Sequence, residues 1–223
     1  MRAQTKESLT AYRNHPVAVA PKRLDMLGHE ASLANWITDA MRDATGADVA
    51  IYNRQFYRGE PISAGVVDIV DLIQCSKPFD QYLVTVKLTG RELLKILDDN
   101  VPDPSKDRPS RWDRPGAGRL VQVSGARYRF DPKLPSGRRI VWSTLRPDQR
   151  YSVVMGGEVV DRQTILLAGR FGKLPYTVTD TPFTMALYGY AAKSGRIEAR
   201  LEGRVRQVEN GVGERLAVPH PNR

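Results

Sequence analysis

The sequence has very few of the side chains that build metal sites and covalent cross-links. Its 223 residues contain one cysteine, Cys75, and three histidines, His15, His29 and His220. One cysteine can form neither an internal disulfide nor a cysteine-based metal site, and a two-metal hydrolase needs several imidazoles and carboxylates close together. We therefore expect no metal ion and no metal-dependent catalytic centre in this chain. Cys75 stands among apolar residues, and we interpret it as a buried structural thiol.

Long apolar runs and the common nucleotide-binding and hydrolase motifs are also absent. No run approaches the roughly 20 residues of a membrane span, and the polar start MRAQTKESLTAYRNHP has no apolar core like that of a signal peptide. As written, the chain is expected to be cytoplasmic, or periplasmic or extracellular if it is a fragment or a mature form. It has no Walker A loop, no G-x-G-x-x-G after a strand and no G-x-S-x-G elbow. We assign no catalytic residue and expect no membrane partner.

Positive charge and enough apolar content for a core are what the sequence does have. Its formal net charge is +9 and 41% of its residues are hydrophobic, so nucleic acid, a membrane surface or an anionic small molecule would each suit its charge. Four arginines between 127 and 139 flank predicted strands with Tyr128 and Phe130 among them, a pattern that could serve phosphate contacts and base stacking. A strand with one solvated face gives the same alternation. We favour that interpretation and do not expect nucleic acid as a partner.

Hydrophobic periodicity predicts helices and strands in mixed order, which indicates an α+β fold of mixed sheets with packed helices. Thr89 and Glu92 form a capping box at the start of one helix. The other predicted elements are helices at 30–45, 66–75 and 181–195, strands at 17–21, 47–53 and 81–88, and three strands within 119–157. We predict one domain over 17–205, with a polar tail at 1–16, an exposed loop at 102–118 that contains Trp112, and a C-terminal tail at 206–223.

Several stretches form an ordered series of motifs. They are the helix EASLANWITDAM (30–41), the strand GADVA (46–50), the polar pair Asn53 and Arg58, PFDQ (78–81), VTVKLTGREL (84–93), LVQVSGARYRF (120–130) and DQRYSVV (148–154). In order and spacing, this series resembles the C-terminal, substrate-binding domain of the 5′-nucleotidase / UDP-sugar hydrolase family. The resemblance runs from about Val17 to Val154 and implies a single 5′-nucleotidase C-terminal-like domain.

The resemblance also implies a substrate-binding role. In the family this domain clamps the nucleoside or other leaving portion of the substrate. By resemblance, Arg58 would pair with an anionic or ribose oxygen, Asn53 would bond the same region, and Phe79 would stack on a base. Gln81 closes the PFDQ motif, and Glu158 stands about where the family has a second aromatic ring. The open alternative is that Asn53 caps the turn after its strand and that Phe79 packs in the core.

The metals of the family belong to another domain. Its N-terminal metallophosphatase domain carries two metals, so we expect no cofactor in this chain and two divalent metals only on a partner metallophosphatase domain or subunit. The expected function is to bind a nucleotide or another anionic small molecule for phosphoester hydrolysis by that partner. Arg54, Gln55 and Phe56 replace glycines of the family, and the late motif around Glu158 also departs from it; these departures leave two alternatives. One is a non-catalytic interaction scaffold with a degenerate pocket, and the other is part of a thiosulfohydrolase-like sulfur-oxidation enzyme.

Overall fold

The computed structural model describes residues 15–54, 57–76, 81–102, 120–156 and 175–208. Ten strands and four helices lie in these ranges in mixed order, and the predicted α+β class is confirmed. The helices are α1 (Ser32–Thr45), α2 (Ile69–Cys75), α3 (Gly90–Asp99) and α4 (Phe183–Ser194). The strands are β1 (Pro16–Ala20), β2 (Val49–Asn53), β3 (Gly65–Asp68), β4 (Tyr82–Thr89), β5 (Val121–Ser124), β6 (Tyr128–Phe130), β7 (Ile140–Ser143), β8 (Arg150–Gly156), β9 (Tyr176–Pro182) and β10 (Val205–Gln207).

The strands form three sheets. The largest has five strands in the order β5-β2-β8-β4-β9, in which β2 and β8 are parallel and the other neighbours are antiparallel. A three-stranded sheet has the order β10-β6-β7, with β10 parallel and β7 antiparallel to β6. The third sheet pairs β1 with β3 in antiparallel fashion. The predictions that concern Phe79, Trp112 and Glu158 lie outside the described residues.

The five-stranded sheet separates two hydrophobic cores. Along β2, Ala50 and Tyr52 point into the core under α1, α2 and α4, whereas Val49 and Ile51 point into the core formed by α3 and the three-stranded sheet. All five residues of β2 are consequently buried. A strand covered on both faces carries a continuous apolar run instead of an alternating one, as the sequence GADVAIY does.

Local signals at helix ends act as the sequence predicts. The Thr89 hydroxyl accepts the backbone N–H of Glu92 at 3.2 Å, and the Glu92 carboxylate accepts the N–H of Thr89 at 2.7 Å, which confirms the capping box at α3. The Thr89 hydroxyl also donates to the Glu92 carboxylate at 2.7 Å, and the bonds that the carboxylate accepts from the Thr89 backbone N–H and hydroxyl lower the pKa of Glu92. At the end of α1, Gly46 adopts the left-handed conformation with a φ of 64°, as a glycine C-cap commonly does. None of the four helices in the described ranges combines the length and the apolar composition that a membrane crossing requires.

Two predicted elements are wrong in their extent. The predicted helix at 66–75 begins at residue 69, because Asp68 and Asp71 form a capping box there and because Val66 pairs with Val19 in the sheet of β1 and β3. The first predicted strand after residue 118 is two strands, β5 and β6, separated by a turn in which Gly125 has a φ of 79°. Strands β9 and β10 were not predicted, and β10 extends to Gln207, within the segment that the sequence assigned to the C-terminal tail.

Candidate functional site

One edge of the five-stranded sheet brings together several of the predicted site segments. Asn53 ends β2 and pairs with Val121 at the start of β5, while Tyr82 starts β4 and pairs with Pro182 at the end of β9. Strand β8 runs parallel to β2 and ends at this same edge with Gly156. We call this edge, with the residues that directly adjoin it, the site edge.

Asn53 and Gln81 stand at the ends of β2 and β4 at the site edge, and a pair of stacked aromatic rings is formed by the chain neighbour of Asn53 and a residue bonded to Gln81. Asn53 is only 3% exposed, and its neighbour Tyr52 stacks on Phe183 with ring centroids 6.0 Å apart and an interplanar angle of 20°. The Phe183 backbone N–H donates to the Gln81 carbonyl oxygen at 2.6 Å. The side-chain Oε1 of Gln81 is buried and accepts no hydrogen bond from the described residues. Gln81 therefore has an unused side-chain acceptor, and its backbone carbonyl is bonded to a member of the aromatic pair.

The chain segment that carries Phe79 has both of its flanks anchored on the first turn of α4. On one side, the hydroxyls of Ser76 and Thr184 are 2.8 Å apart and share a hydrogen bond. On the other side, Gln81 accepts the N–H of Phe183. Gln81, the last residue of the predicted PFDQ motif, is therefore bonded to a member of the aromatic pair, while residues 77–80, Phe79 among them, lie outside the described residues.

Arg58 has an exposed position beside the carboxyl end of α2. Its guanidinium donates to the Tyr57 carbonyl oxygen at 2.9 Å. The next residue, Gly59, lies so close to the Cys75 carbonyl that a β-carbon there would overlap it. This close approach requires glycine and fixes the path of the chain next to Arg58. Cys75 itself is fully buried, and burial raises its pKa to about 12, so the predicted structural thiol is confirmed.

Arg54 has a structural role that the sequence did not reveal. Its guanidinium is buried and donates to the carbonyl oxygens of Met26, Gly28 and His29, the Gly28 contact being 2.5 Å long. Burial lowers the pKa of Arg54 to about 10, and burial together with the charge of Arg54 lowers the pKa of His29. Of the three departures from the family's glycines, Arg54 thus ties β2 to the preceding loop, while residues 55 and 56 lie outside the described ranges.

A second polar cluster, which we call the α1 clamp, joins α1 to the C-terminal segment. Arg204 forms a bidentate pair with Asp39, with N–O distances of 2.7 and 2.9 Å. Glu30 accepts the backbone N–H of Arg204 at 3.1 Å and the side-chain amide of Asn35 at 2.6 Å. The Ser124 hydroxyl donates to Asp39 at 2.6 Å. Glu30, Asn35 and Asp39 of the motif EASLANWITDAM therefore serve this attachment. A sequence signal existed, because Asn35 and Asp39 are four residues apart among apolar residues.

The structure also contains an open cleft of about 790 Å³. It is lined by Arg23, Glu60, Pro61, Ser63, Val66, Val67, Asp68, Asp71 and Gln74. Three carboxylates face one guanidinium there, which is unfavourable for an anionic ligand, and none of the predicted site residues lines the cleft. The described residues contain no group of three or more His, Cys, Asp or Glu side chains that could hold a metal ion.

Comparison with known proteins adds to this geometry. The family described as "5′-nucleotidase, C-terminal domain" matches residues 15–157. No curated protein sequence matches the chain. Among solved structures, a 5′-nucleotidase precursor of Thermus thermophilus is 25% identical, with a TM-score of 0.75, and the alignment covers 92% of this chain and 41% of that one.

Two further solved structures share the fold at lower identity. The NAD nucleotidase of Haemophilus influenzae is 19% identical with a TM-score of 0.73, covering 92% of this chain and 40% of that one. The Thermus thermophilus sulfate thiohydrolase SoxB is 20% identical with a TM-score of 0.70, covering 98% of this chain and 40% of that one. The chain thus spans about two fifths of the length of these proteins. With 143 of its 223 residues matched, the chain belongs to the 5′-nucleotidase C-terminal domain family.

Proposed function

We propose that this chain is the substrate-binding unit of a 5′-nucleotidase-like hydrolase and binds a nucleotide or another anionic small molecule at the site edge. The observation that carries the proposal is the convergence of two family motifs on one place. Asn53 ends β2, the strand of one motif, and Gln81 ends the PFDQ motif directly before β4. Tyr52, the chain neighbour of Asn53, stacks on Phe183, whose backbone N–H donates to the Gln81 carbonyl oxygen.

The chemistry of the site edge suits such a ligand. The amide of Asn53 and the buried Oε1 acceptor of Gln81 can form directional hydrogen bonds with a sugar or a base. Arg58, on the surface, can add a charge-assisted hydrogen bond to a phosphate or carboxylate oxygen. By resemblance, Phe79 would supply a stacking face and Glu158 would stand about where the family has its second ring, where its charge would oppose a phosphate. We therefore propose weaker binding than a two-ring clamp would give.

Phosphoester hydrolysis requires a second unit under this proposal. The chain spans about two fifths of the length of the solved relatives, and we propose that a metallophosphatase domain or subunit supplies two divalent metals and the attacking nucleophile. The residues of this chain would then hold and orient the part of the substrate that does not react, which lowers the barrier by positioning.

A thiosulfohydrolase-like role is the second candidate. The sequence feature that favours it is Glu158, because a domain that grips no nucleoside has no need for a second stacking ring. Whether the chain binds thiosulfate or nucleotides therefore discriminates between the two candidate functions.

Thermal-shift measurements on the full chain test the proposal. The panel comprises nucleosides, nucleoside monophosphates, UDP-sugars, phosphate and thiosulfate. A ligand at 100 times its Kd stabilises the folded state by about 2.7 kcal/mol, which raises the Tm of a domain of this size by roughly 5 to 10 °C. Arg58→Ala and Phe79→Ala should reduce the shift, whereas the matched control Arg23→Ala, in the acidic cleft, should not. A panel without any shift would contradict the proposal and favour the interaction scaffold.

A further inference from the structure

The three-stranded sheet has one buried face and one exposed face. Tyr128 and Phe130 of the central strand β6 are 0% and 1% exposed and point into the core. Residues that pair directly across a sheet share a face, and the register places Arg206 opposite Arg129 and Arg129 opposite Trp142. These three side chains therefore form a row across all three strands on the outer face.

This arrangement changes the aromatic partner that the sequence suggested for the arginines. Tyr128 and Phe130 are on the wrong face to stack on a ligand, whereas the indole of Trp142 is on the outer face. The guanidinium carbon of Arg129 lies 5.1 Å from the centroid of the Trp142 ring, within the range of a cation–π contact. An aromatic platform flanked by cations is thus present, built from a residue that the periodicity did not single out.

The chain segment that contains β6 and β7 is rich in basic residues. Residues 125–147 contain six Lys and Arg side chains and one acidic residue, Asp131. Asp131 is only 3% exposed and accepts the backbone N–H of Lys133 at 2.9 Å. Arg127 is exposed, and its carbonyl oxygen accepts the backbone N–H of Thr144 while its own N–H donates to the Thr144 hydroxyl, so the pairing of β6 and β7 continues by one residue. Alternation then places Arg127 on the same face as Arg129.

We propose that this outer face, formed by Arg127, Arg129, Trp142 and Arg206, binds single-stranded nucleic acid. Side chains on adjacent strands are about 4.8 Å apart, and alternate residues of one strand are about 6.8 Å apart, so the cations can track a phosphate backbone while the indole stacks on a base. Stacking on an aromatic ring tolerates any base, which makes the binding independent of sequence. The proposal does not depend on a ligand at the site edge.

Fluorescence anisotropy with a labelled oligo(dT) of about 20 nucleotides, longer than one stacking platform needs, tests this surface in the full chain. The logarithm of the association constant should fall linearly with log[NaCl]. The double variant Arg127→Gln/Arg206→Gln, at two exposed residues, should reduce the magnitude of this slope by about 1.4, since each lost phosphate contact removes about 0.7. The control Lys22→Gln/Lys87→Gln removes two exposed charges elsewhere and should leave the slope unchanged.

Variants of Trp142 distinguish the binding of nucleic acid from the binding of polyanions in general. Trp142→Leu should weaken oligo(dT) binding by about 5-fold to 100-fold without a change of slope, and Trp142→Phe, which keeps a ring, should bind nearly as the parent does. No binding in about 50 mM NaCl, an equal loss in both double variants, or unchanged affinity in Trp142→Leu would overturn the proposal. Tighter binding to phosphatidylserine-containing vesicles than to oligo(dT) would also overturn it, in favour of a membrane surface.

Discussion

Replacing Arg204 with methionine should destabilise the fold strongly, because the α1 clamp depends on this side chain. Its side chain is 11% exposed, and its guanidinium forms two hydrogen bonds with Asp39, whose side chain is 25% exposed. Burial by itself would lower the pKa of Arg204, but hydrogen bonds and attraction from Asp39 and Glu202 outweigh burial and raise it. The folded state therefore holds this charge favourably.

The magnitude follows from the burial of the pair. Breaking a fully buried ion pair costs about 3 to 5 kcal/mol, and an exposed pair contributes about 0 to 1 kcal/mol. The Arg204 and Asp39 pair is closer to the buried limit, so Arg204→Met should lower the free energy of unfolding by about 2 to 4 kcal/mol. With an m-value of about 2 kcal/mol per molar, the urea midpoint should fall by about 1 to 2 M.

Arg196→Met is the matched control for urea denaturation followed by circular dichroism. Arg196 pairs with Glu198 at 2.9 Å, but the two side chains are 60% and 43% exposed, so the control should change stability by less than about 1 kcal/mol. Equal midpoints for the two variants would refute the reasoning that burial gives the α1 clamp its strength. In an Asp39→Asn background, Arg204→Met should lower the free energy of unfolding much less than it does in the parent, since the two residues share one interaction.

Three further predictions concern backbone strain, pH and thiol reactivity. Gly125→Ala should lower the free energy of unfolding, measured by urea denaturation, about twice as much as Gly203→Ala. Both residues have positive φ, but only Gly125 lies against a neighbouring backbone carbonyl. Equal losses of stability in the two variants would contradict this. Burial and Arg54 lower the pKa of His29 below its unfolded value of about 6.5. The unfolded chain therefore binds the proton more readily, so the free energy of unfolding should decline as the pH falls below about 6.5, and it should decline less steeply in His29→Gln. Identical pH profiles of stability in the parent and His29→Gln would exclude this role. Cys75 should react with a disulfide reagent at about pH 8 only as fast as the chain opens, and rapid modification of the folded protein would disprove its burial.

Local signals predicted the parts of the fold that depend on neighbouring residues. The capping box at Thr89 and the glycine after α1 could be located because both act within one helical turn. Asp68 and Asp71 offered the same kind of signal at α2, but the apolar run that begins at Val66 continues across the true boundary and extended the predicted helix.

Contacts between distant segments could not be predicted in the same way. The partner of Asp39 is 165 residues away along the chain, and strands β9 and β10 are defined only by the strands they pair with. At the candidate site, the sequence identified Asn53 and Gln81 through family motifs. It could not show that Arg54 is buried against the loop at 26–29, because that loop has no periodic pattern that fixes its position.

A titration of the ¹⁵N-labelled chain with uridine 5′-monophosphate, followed by NMR, tests ligand binding at the site edge most directly. The side-chain amides of Asn53 and Gln81 report on the site edge, and the indole N–H of Trp142 reports on the outer face of the three-stranded sheet. We expect saturable shifts of the Asn53 and Gln81 amide signals with little change at Trp142. Movement of the Trp142 signal alone, or no movement at any of the three, would contradict binding at the site edge.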